Sequence, residues 1–263
     1  MNWVEDREEG NIHIEAAVQS HIGAREYQQD YAYLKIFSGG AFGILCDGMG
    51  GLSGGDIASK TTVMSFAQNF AARDRQKSDY DFFGEQTIRT DREIAALKDD
   101  AGKPLQCGTT VVSVSVTGNQ MYWLSVGDSR IYLIRADRIV QVTRDHNYKT
   151  MLDEYLSNGK ISQEKYEQEA RGGRFEALTS YIGMDGVQII DRNHEAVTLE
   201  DGDIVVLCCD GLYKTMNNDK IGAMILDNGI DMHLAAERLI DMTLRTSKRG
   251  QDNITVMLLK YRA

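Results

Sequence analysis

Two stretches of this chain are apolar on both faces, and each stops on Asp-Gly. Gly43-Ile44-Leu45-Cys46 runs into Asp47-Gly48, and Ile204 to Cys209 runs into Asp210-Gly211. A strand presents alternate side chains to opposite faces, so a run that is apolar throughout belongs between two layers. Much of the rest reads as hairpins. Gly39-Gly40, Gly118-Asn119 and Ala136-Asp137 separate strand-like segments by turns too short for the crossover a parallel pair needs. A doubly wound parallel sheet is therefore not expected. The economical solution is an α+β architecture in which two antiparallel sheets pack face to face and helices cover the outer faces.

The segments follow from periodicity. Ile12–Ser20, Asp30–Phe37 and Ala41–Cys46 read as strands. Ile57, Thr61, Met64, Ala67 and Phe70/Ala71 fall at helical spacing, with Asp56 as the expected N-cap. A second helix is expected within Phe82–Lys98. From Thr109 to Thr143 the period changes to two, which predicts one antiparallel meander. The stretch 146–173 is polar and helical in character and reads as an insertion. His233–Thr246 is an amphipathic helix, and Asn253–Tyr261 closes the chain as a strand.

Composition excludes several classes of function. The chain of 263 residues has a single proline, Pro104, and no low-complexity linker, so one domain spanning 1–263 is expected. Its net charge of -10 comes with no basic stripe, which argues against nucleic acid and anionic membrane as partners. The short basic run Arg245–Arg249 reads as a helix end. The four cysteines, Cys46, Cys107, Cys208 and Cys209, form no C-x-x-C pair and read as small buried hydrophobes of a reducing compartment. The charged N-terminus lacks the apolar core of a signal peptide, and no run is long enough to span a membrane. The expected location is the cytoplasm.

Five aspartates stand at strand boundaries beside Gly, Asn or Gln: Asp30, Asp47, Asp128, Asp210 and Asp252. Any one Asp-Gly is ordinarily a turn, and Asp201-Gly202-Asp203 is read as nothing more. Together they suggest something else. Carboxylates converging at sheet edges without neighbouring Arg or Lys repel one another, and a bound divalent cation removes that cost. An all-oxygen donor set without histidine or cysteine pairs suits Mg²⁺ or Mn²⁺ rather than zinc. Glycines dominate the loop after Asp47, with five between Gly48 and Gly55. They allow a backbone carbonyl to come close to such an ion. Ser53 in this loop lacks an evident His/Asp support. The cysteines do not form a C-x₅-R arrangement, so no cysteine nucleophile is indicated. His13, His21, His146, His194 and His233 are scattered, and His146 at the start of the insertion is read as structural.

Seven motifs then occur in order along nearly the whole chain: GAREYQQD (23–30), CDGMGG (46–51), CGTT (107–110), VGDSRIY (126–132), LTSYIG (178–183), CDGLY (209–213) and QDNITV (251–256). In these the chain resembles the metal-dependent serine/threonine phosphatases of the PPM (type 2C) family, in its bacterial form. The resemblance implies a four-layer αββα sandwich with metals at one end. It implies that Asp47 bridges two Mn²⁺ or Mg²⁺ ions, that the Gly48 carbonyl completes one, and that Asp210 and Asp252 hold the other. Asp128, with Asp210, is implied for a third, weaker ion. Gln29 and Asp30 are implied to act on the ions through water, and Arg25 to grip the substrate phosphate with its planar fork. Residues 146–176 match a flap bordering the site. The activity implied is hydrolysis of phosphoserine and phosphothreonine in proteins by direct attack of a metal-bridging water, with Asp47, Asp210 and Asp252 at the catalytic centre. Relatives commonly oppose a serine/threonine kinase.

Two positions depart from the pattern. Gln29 stands where many members carry Glu, and adds no charge. Met49 stands where some members, mainly eukaryotic, carry a histidine, and it has no proton to give. A metal-bound water must then protonate the leaving group, or the leaving group must be a good one. A catalytically silent phosphoprotein-binding domain is the alternative reading. A nuclease is opposed by the missing basic groove.

Overall fold

A computed structural model describes residues 3–7, 14–226, 231–247 and 250–263. Ile12 and His13, expected in the first strand, and Lys248 and Arg249 of the basic run lie outside the described residues, as does the side chain of Ser53. Among the described residues, thirteen strands and seven helices follow in the order β1 (Trp3–Arg7), β2 (Ile14–His21), β3 (Asp30–Phe37), β4 (Gly40–Met49), α1 (Gly51–Ala72), α2 (Asp79–Ala95), β5 (Gly108–Thr109), β6 (Val111–Thr117), β7 (Gln120–Val126), β8 (Arg130–Arg135), β9 (Arg138–Gln141), α3 (Tyr148–Ser157), α4 (Gln163–Ala170), β10 (Asp191–Arg192), β11 (Val197–Thr198), β12 (Ile204–Cys208), α5 (Asp210–Tyr213), α6 (Asn218–Ile225), α7 (Met232–Thr246) and β13 (Ile254–Tyr261).

The strands form two sheets. One runs β1-β3-β4-β6-β7-β10, with β5 added to β4 and β11 to β7; the other runs β2-β13-β12-β8-β9. Pairing is antiparallel except for β1, which lies parallel to β3 and was not foreseen. The two doubly apolar strands sit where their composition demands. In β4, Leu45 points between the sheets while Phe42, Ile44 and Cys46 pack under α1. In β12, Val205 and Leu207 point between the sheets while Ile204, Val206 and Cys208 face α6 and α7. Three apolar layers thus separate four layers of backbone, giving the αββα sandwich. The last strand, β13, sits centrally between β2 and β12, so Ile254 to Leu259 are core.

Two local expectations are corrected. Helix α1 begins at Gly51 behind Gly50, so Asp56 lies inside the helix and is not its N-cap. No side chain caps this end, because the glycine loop itself winds into the first turn. The buried stripe of α1 is also shifted by about one residue. Ala58, Val63, Phe66, Ala67 and Phe70 are buried, whereas Ile57 is exposed. The expected meander is in fact two hairpins in different sheets. β6 and β7 belong to the first sheet, β8 and β9 to the second, and the chain changes sheets at Gly127-Asp128-Ser129. Gly127 has φ 105°, and a Cβ there would lie 2.6 Å from the Thr110 side chain, so the corner requires glycine. Alternation shows that a strand has two faces but not which sheet receives it, so the crossing was invisible to period alone.

The insertion folds as the polar helices α3 and α4, of which α4 buries no residue. The segment after it is pinned by Asp91 of α2, buried under a loop. Asp91 Oδ1 accepts from the backbone N–H of Gly183 (2.8 Å) and Met184 (2.9 Å), and Oδ2 from Gly186 (2.6 Å) and Val187 (3.0 Å). This holds Ile182 against Thr109, whose neighbour in the sheet is Gly48. Asp91→Ala leaves four donors unpartnered and is expected to lower unfolding stability by at least about 2 kcal/mol in urea titration. Asp91→Asn, which keeps an acceptor, should fall between it and the parent.

Candidate metal centre

β3 and β4 deliver the first two carboxylates by register: Asp30 and Asp47 are direct cross-strand partners at the end of the first sheet. The backbone of Asp47 is held from three directions. Its carbonyl accepts from Thr110 N (2.9 Å) and Thr109 Oγ1 (2.8 Å), and its N–H donates to Thr110 Oγ1 (3.0 Å). These threonines are the end of the CGTT motif. Gly48 follows with its N–H on the Gln29 carbonyl (3.1 Å), and a Cβ there would fall 2.0 Å from the Gly55 carbonyl oxygen. The glycine loop is thus folded too tightly onto Gly48 for any side chain.

Asp128 comes from the sheet-changing corner. His146 accepts from Gly127 N–H at Nδ1 (3.1 Å), and its backbone N–H donates to the Gly127 carbonyl (2.8 Å). Burial pushes the His146 imidazole down to about 4, so it is a neutral acceptor that ties the insertion to the corner. Asp210 opens the short helix α5. Asp252 comes from the loop before β13, fixed by neighbours on each side. Gln251 donates to the Gly211 carbonyl (2.8 Å) and accepts from Thr215 (3.0 Å). Asn253 donates to the Ile22 and Tyr27 carbonyls and accepts from Gln29 N–H (2.7 Å). One Asn therefore joins the Arg25 loop, the Gln29 backbone and the Asp252 loop. Gln251 and Asn253 were in the quoted motif, but nothing local indicated this role.

These residues meet at one end of the sandwich in a cleft of about 460 Å³ whose walls include Arg25, Gln29, Asp47, Gly48, Asp128, Asp210 and Asp252. Asp30 lies beneath it, fully buried, with Oδ2 accepting from Thr255 Oγ1 (2.7 Å). Burial, then repulsion from Asp210 and Asp252, pushes the Asp30 carboxyl up to about 7 against the bond from Thr255. Burial and the charges of Asp30, Asp210, Asp128 and Asp252 raise Asp47 well above the carboxylate range. Asp128 is pushed up to about 6 by burial and Asp210, against the pull of Lys214.

The arrangement fits divalent cations. Asp30 Oδ1 and Asp210 Oδ1 are buried with no hydrogen-bond partner, a costly state for carboxylate oxygens unless a cation meets them. Asp30, Asp47 and Cys209 offer ligand atoms within 4.8 Å of one another. Cys209 is engaged otherwise: its thiol donates to the Asn253 carbonyl (3.4 Å) and accepts from Thr255 N–H (3.1 Å), while burial and the nearby carboxylates push it well up. It is a packed thiol, as are Cys46 and Cys208, and all four cysteines are free.

One premise of the sequence reading is corrected. The carboxylates do have basic neighbours, one from a distant loop and one a helical turn beyond Asp210. Arg25 Nη2 donates to Asp252 Oδ2 at 2.6 Å. Lys214 Nζ donates to Asp210 Oδ2 at 2.8 Å and stands 3.4 Å from Glu176 and 4.0 Å from Asp128. Burial works against the Lys214 ammonium, but the carboxylates of Asp210, Asp128 and Glu176 hold it charged. Lys214 went unnoticed because only its spacing of four from Asp210 marks it in the sequence. Gln29 donates its side-chain amide to the Gly50 carbonyl (3.2 Å), steadying the glycine loop. Asp203 accepts from Arg135 and from Glu200 N–H at the Gly202 turn and is remote from the cleft lining, in agreement with the turn reading.

Comparison with known proteins gives one consistent result. The family model described as Protein phosphatase 2C matches residues 19–250. The protein phosphatase PhpP of Streptococcus pneumoniae is 28% identical over 251 residues, covering 94% of this chain and 97% of its own. The serine/threonine phosphatase stp of Listeria innocua is 28% identical over 220 residues, covering 82% and 83%. Among solved structures, the S. agalactiae serine/threonine phosphatase superposes with a TM-score of 0.81 at 28% identity, over 95% of this chain and 100% of that one.

A carboxyl whose pKa is higher folded than unfolded keeps its proton longer in the native state. The stability this confers is complete below about pH 4 and is lost as pH rises. For Asp30 the loss extends to about 7. The EDTA-treated protein should therefore lose thermal stability across that window, and Asp30→Asn should lose less. Melting curves of both variants against pH, with and without Mn²⁺, check this; added Mn²⁺ should flatten the decline of the parent.

Proposed function

Because the chain belongs to the protein phosphatase 2C family of metal-dependent serine/threonine phosphatases, we propose that it hydrolyses phosphoserine and phosphothreonine in proteins at the cleft lined by Asp47, Asp128, Asp210 and Asp252 above the buried Asp30. The observation that carries this reading is the pair of orphaned, buried carboxylate oxygens on Asp30 and Asp210, in a cluster where burial and neighbouring carboxylates raise the pKa of Asp30, Asp47 and Asp128. Asp47, the Gly48 carbonyl, Asp210 and Asp252 are the proposed holders of Mn²⁺ or Mg²⁺, with Gln29 and Asp30 acting through water. When bound, such ions bring the pKa of water toward neutrality and stabilise charge on a phosphoryl group.

The remaining work belongs to the chain. Thr109 and Thr110 keep Asp47 from moving as charge changes around it. Arg25 is mostly exposed on the cleft rim, and among the described residues its one carboxylate contact is Asp252. Its other donors are free to take two phosphate oxygens in a planar fork. Met49 lines the cleft and has no proton for a leaving oxygen, and His146 is turned to the Gly127 backbone. Neither of these two side chains is placed to protonate a leaving oxygen, which keeps the reading that a water held at the metal centre does so or that the leaving group is a good one. Glu176 and Leu178 bring the end of the insertion to the cleft wall, which supports 146–176 as a flap on a single domain.

The proposed partners are phosphorylated proteins, among them a serine/threonine kinase and its targets. The proposed location is the cytoplasm. Free cysteines favour a reducing compartment, and no described helix is long and apolar enough to cross a membrane. Gln29 is the observation on the side of a silent phosphoprotein binder, since it brings an amide where a further charge is expected. Hydrolysis of para-nitrophenyl phosphate with and without Mn²⁺ decides between the two, and phosphoserine against phosphotyrosine peptides tests the substrate class.

Activity should require Mn²⁺ or Mg²⁺ and vanish in EDTA; full turnover in metal-free buffer would contradict the proposal. Arg25→Ala should raise KM for a phosphopeptide by an amount equivalent to roughly 1.5–3 kcal/mol. Stability should move by no more than about 1 kcal/mol, because the pair with Asp252 is at the surface. Arg25→Lys should recover only part of the KM. Steady-state kinetics beside a thermal melt measure both, and an unchanged KM removes Arg25 from substrate binding.

A further inference from the structure

The Asp128 side of the cleft differs from the Asp252 side in how its charge is met. Lys214 Nζ lies 2.8 Å from Asp210 Oδ2, 3.4 Å from Glu176 Oε2 and 4.0 Å from Asp128 Oδ2. An ammonium has three donors and no acceptor; here one hydrogen-bonds to Asp210, while Glu176 and Asp128 stand within ion-pair distance. A hard cation between Asp128 and Asp210 would need the same carboxylate oxygens, and would sit against a fixed positive charge.

The position of Lys214 is built into the fold. Its backbone N–H donates to the Asp210 carbonyl (3.0 Å), so its side chain starts one helical turn beyond that carboxylate. The preceding residue, Tyr213, donates its hydroxyl to the Asp128 carbonyl (2.9 Å). The Tyr213 ring is covered by the Arg130 guanidinium at 3.6 Å, and Arg130 is itself held by both oxygens of Asp145. These contacts lock α5 to the sheet-changing corner and set the distance from Lys214 to Asp128. Arg25 contrasts with this: it leaves an exposed loop and touches one exposed carboxylate.

We propose that the Lys214 ammonium is an internal cation that stands in for a third divalent ion between Asp128 and Asp210, confining exchangeable metal to the side of Asp47 and Asp252. The inference rests on the metal-centre reading above. It makes Asp128 a positioning residue for Lys214 rather than a ligand. It also gives the cleft a positive charge that does not depend on metal concentration, since Lys214 lines the cleft with its side chain partly exposed.

Mn²⁺ stoichiometry of the full chain, by isothermal calorimetry and by equilibrium dialysis with metal analysis, tests it. The parent and Asp128→Ala should bind the same number of ions. Lys214→Met should bind one more, with weaker affinity, and Lys214→Met/Asp128→Ala should lose it again. Lys214→Arg, which keeps the charge, should match the parent. Loss of an ion in Asp128→Ala alone overturns the proposal, as does a folded Lys214→Met that gains none. Should Lys214→Met fail to fold, as judged by circular dichroism, the comparison of the parent with Asp128→Ala still decides. A parent that binds no Mn²⁺ overturns the metal-centre reading and this inference together, whereas a parent that binds Mn²⁺ beside a Lys214→Met that gains none overturns this inference alone.

Discussion

Repulsion among carboxylates held at one end of a β-sandwich governs how the rest of this molecule is arranged. Asp30 and Asp47 face each other across a strand pair, and Asp128, Asp210 and Asp252 close on them from the second sheet and its loops. Burial removes the water that would screen them, which is why Asp30 and Asp47 lie so far above the carboxylate range. Left to itself such a cluster would drive its strands apart. The sheets must therefore be held by something other than the site.

That hold comes from two sources. The apolar layer between the sheets runs directly up to the acids, with Leu45, Leu207 and Cys209 within a few residues of Asp47 and Asp210. Above it, neutral polar side chains fasten backbone to backbone. Thr109 and Thr110 grip Asp47, Gln251 and Asn253 tie the Asp252 loop to α5 and to the Arg25 loop, and Asp91 secures the segment behind β5. None of these side chains brings a charge of its own into the cluster except Asp91, which is spent on four backbone donors. The cost of gathering the acids is thus borne by packing and hydrogen bonds that do not change with metal or substrate.

The two basic residues divide the centre into unlike halves. Arg25 meets Asp252 from an exposed loop, with both side chains open to solvent, which is what the proposed exchange of that partner for a phosphate requires. Lys214 is fixed to the same short helix as Asp210, beside a corner anchored through Tyr213 and Arg130. One half is suited to changing partners during turnover and the other to keeping them. The difference lies in the exposure of each side chain and the number of carboxylates around it rather than in the type of charge.

Much of this was legible in the chain itself. Runs apolar on both faces require a layer on each side, so Gly43–Cys46 and Ile204–Cys209 announced a sandwich, and the aspartates that end them announced where its chemistry lies. Those are local facts, written in periodicity and in the residue at a strand tip. Others depended on distance across the fold. Alternation in Val111–Gln141 could not show that the chain changes sheets at Gly127, because a strand pattern carries no record of its neighbour. Asp56 had the composition of an N-cap, but the glycine loop had already begun the helix. The encounter of Lys214 with Asp128, through a tyrosine and a carbonyl 85 residues apart, exists only after both sheets have closed. Sequence by itself determined which strands need a layer on each face and where the ionisable groups stand along the chain; the tertiary structure alone decided which charges meet, because Coulomb interactions act through space and the chain order does not fix that space.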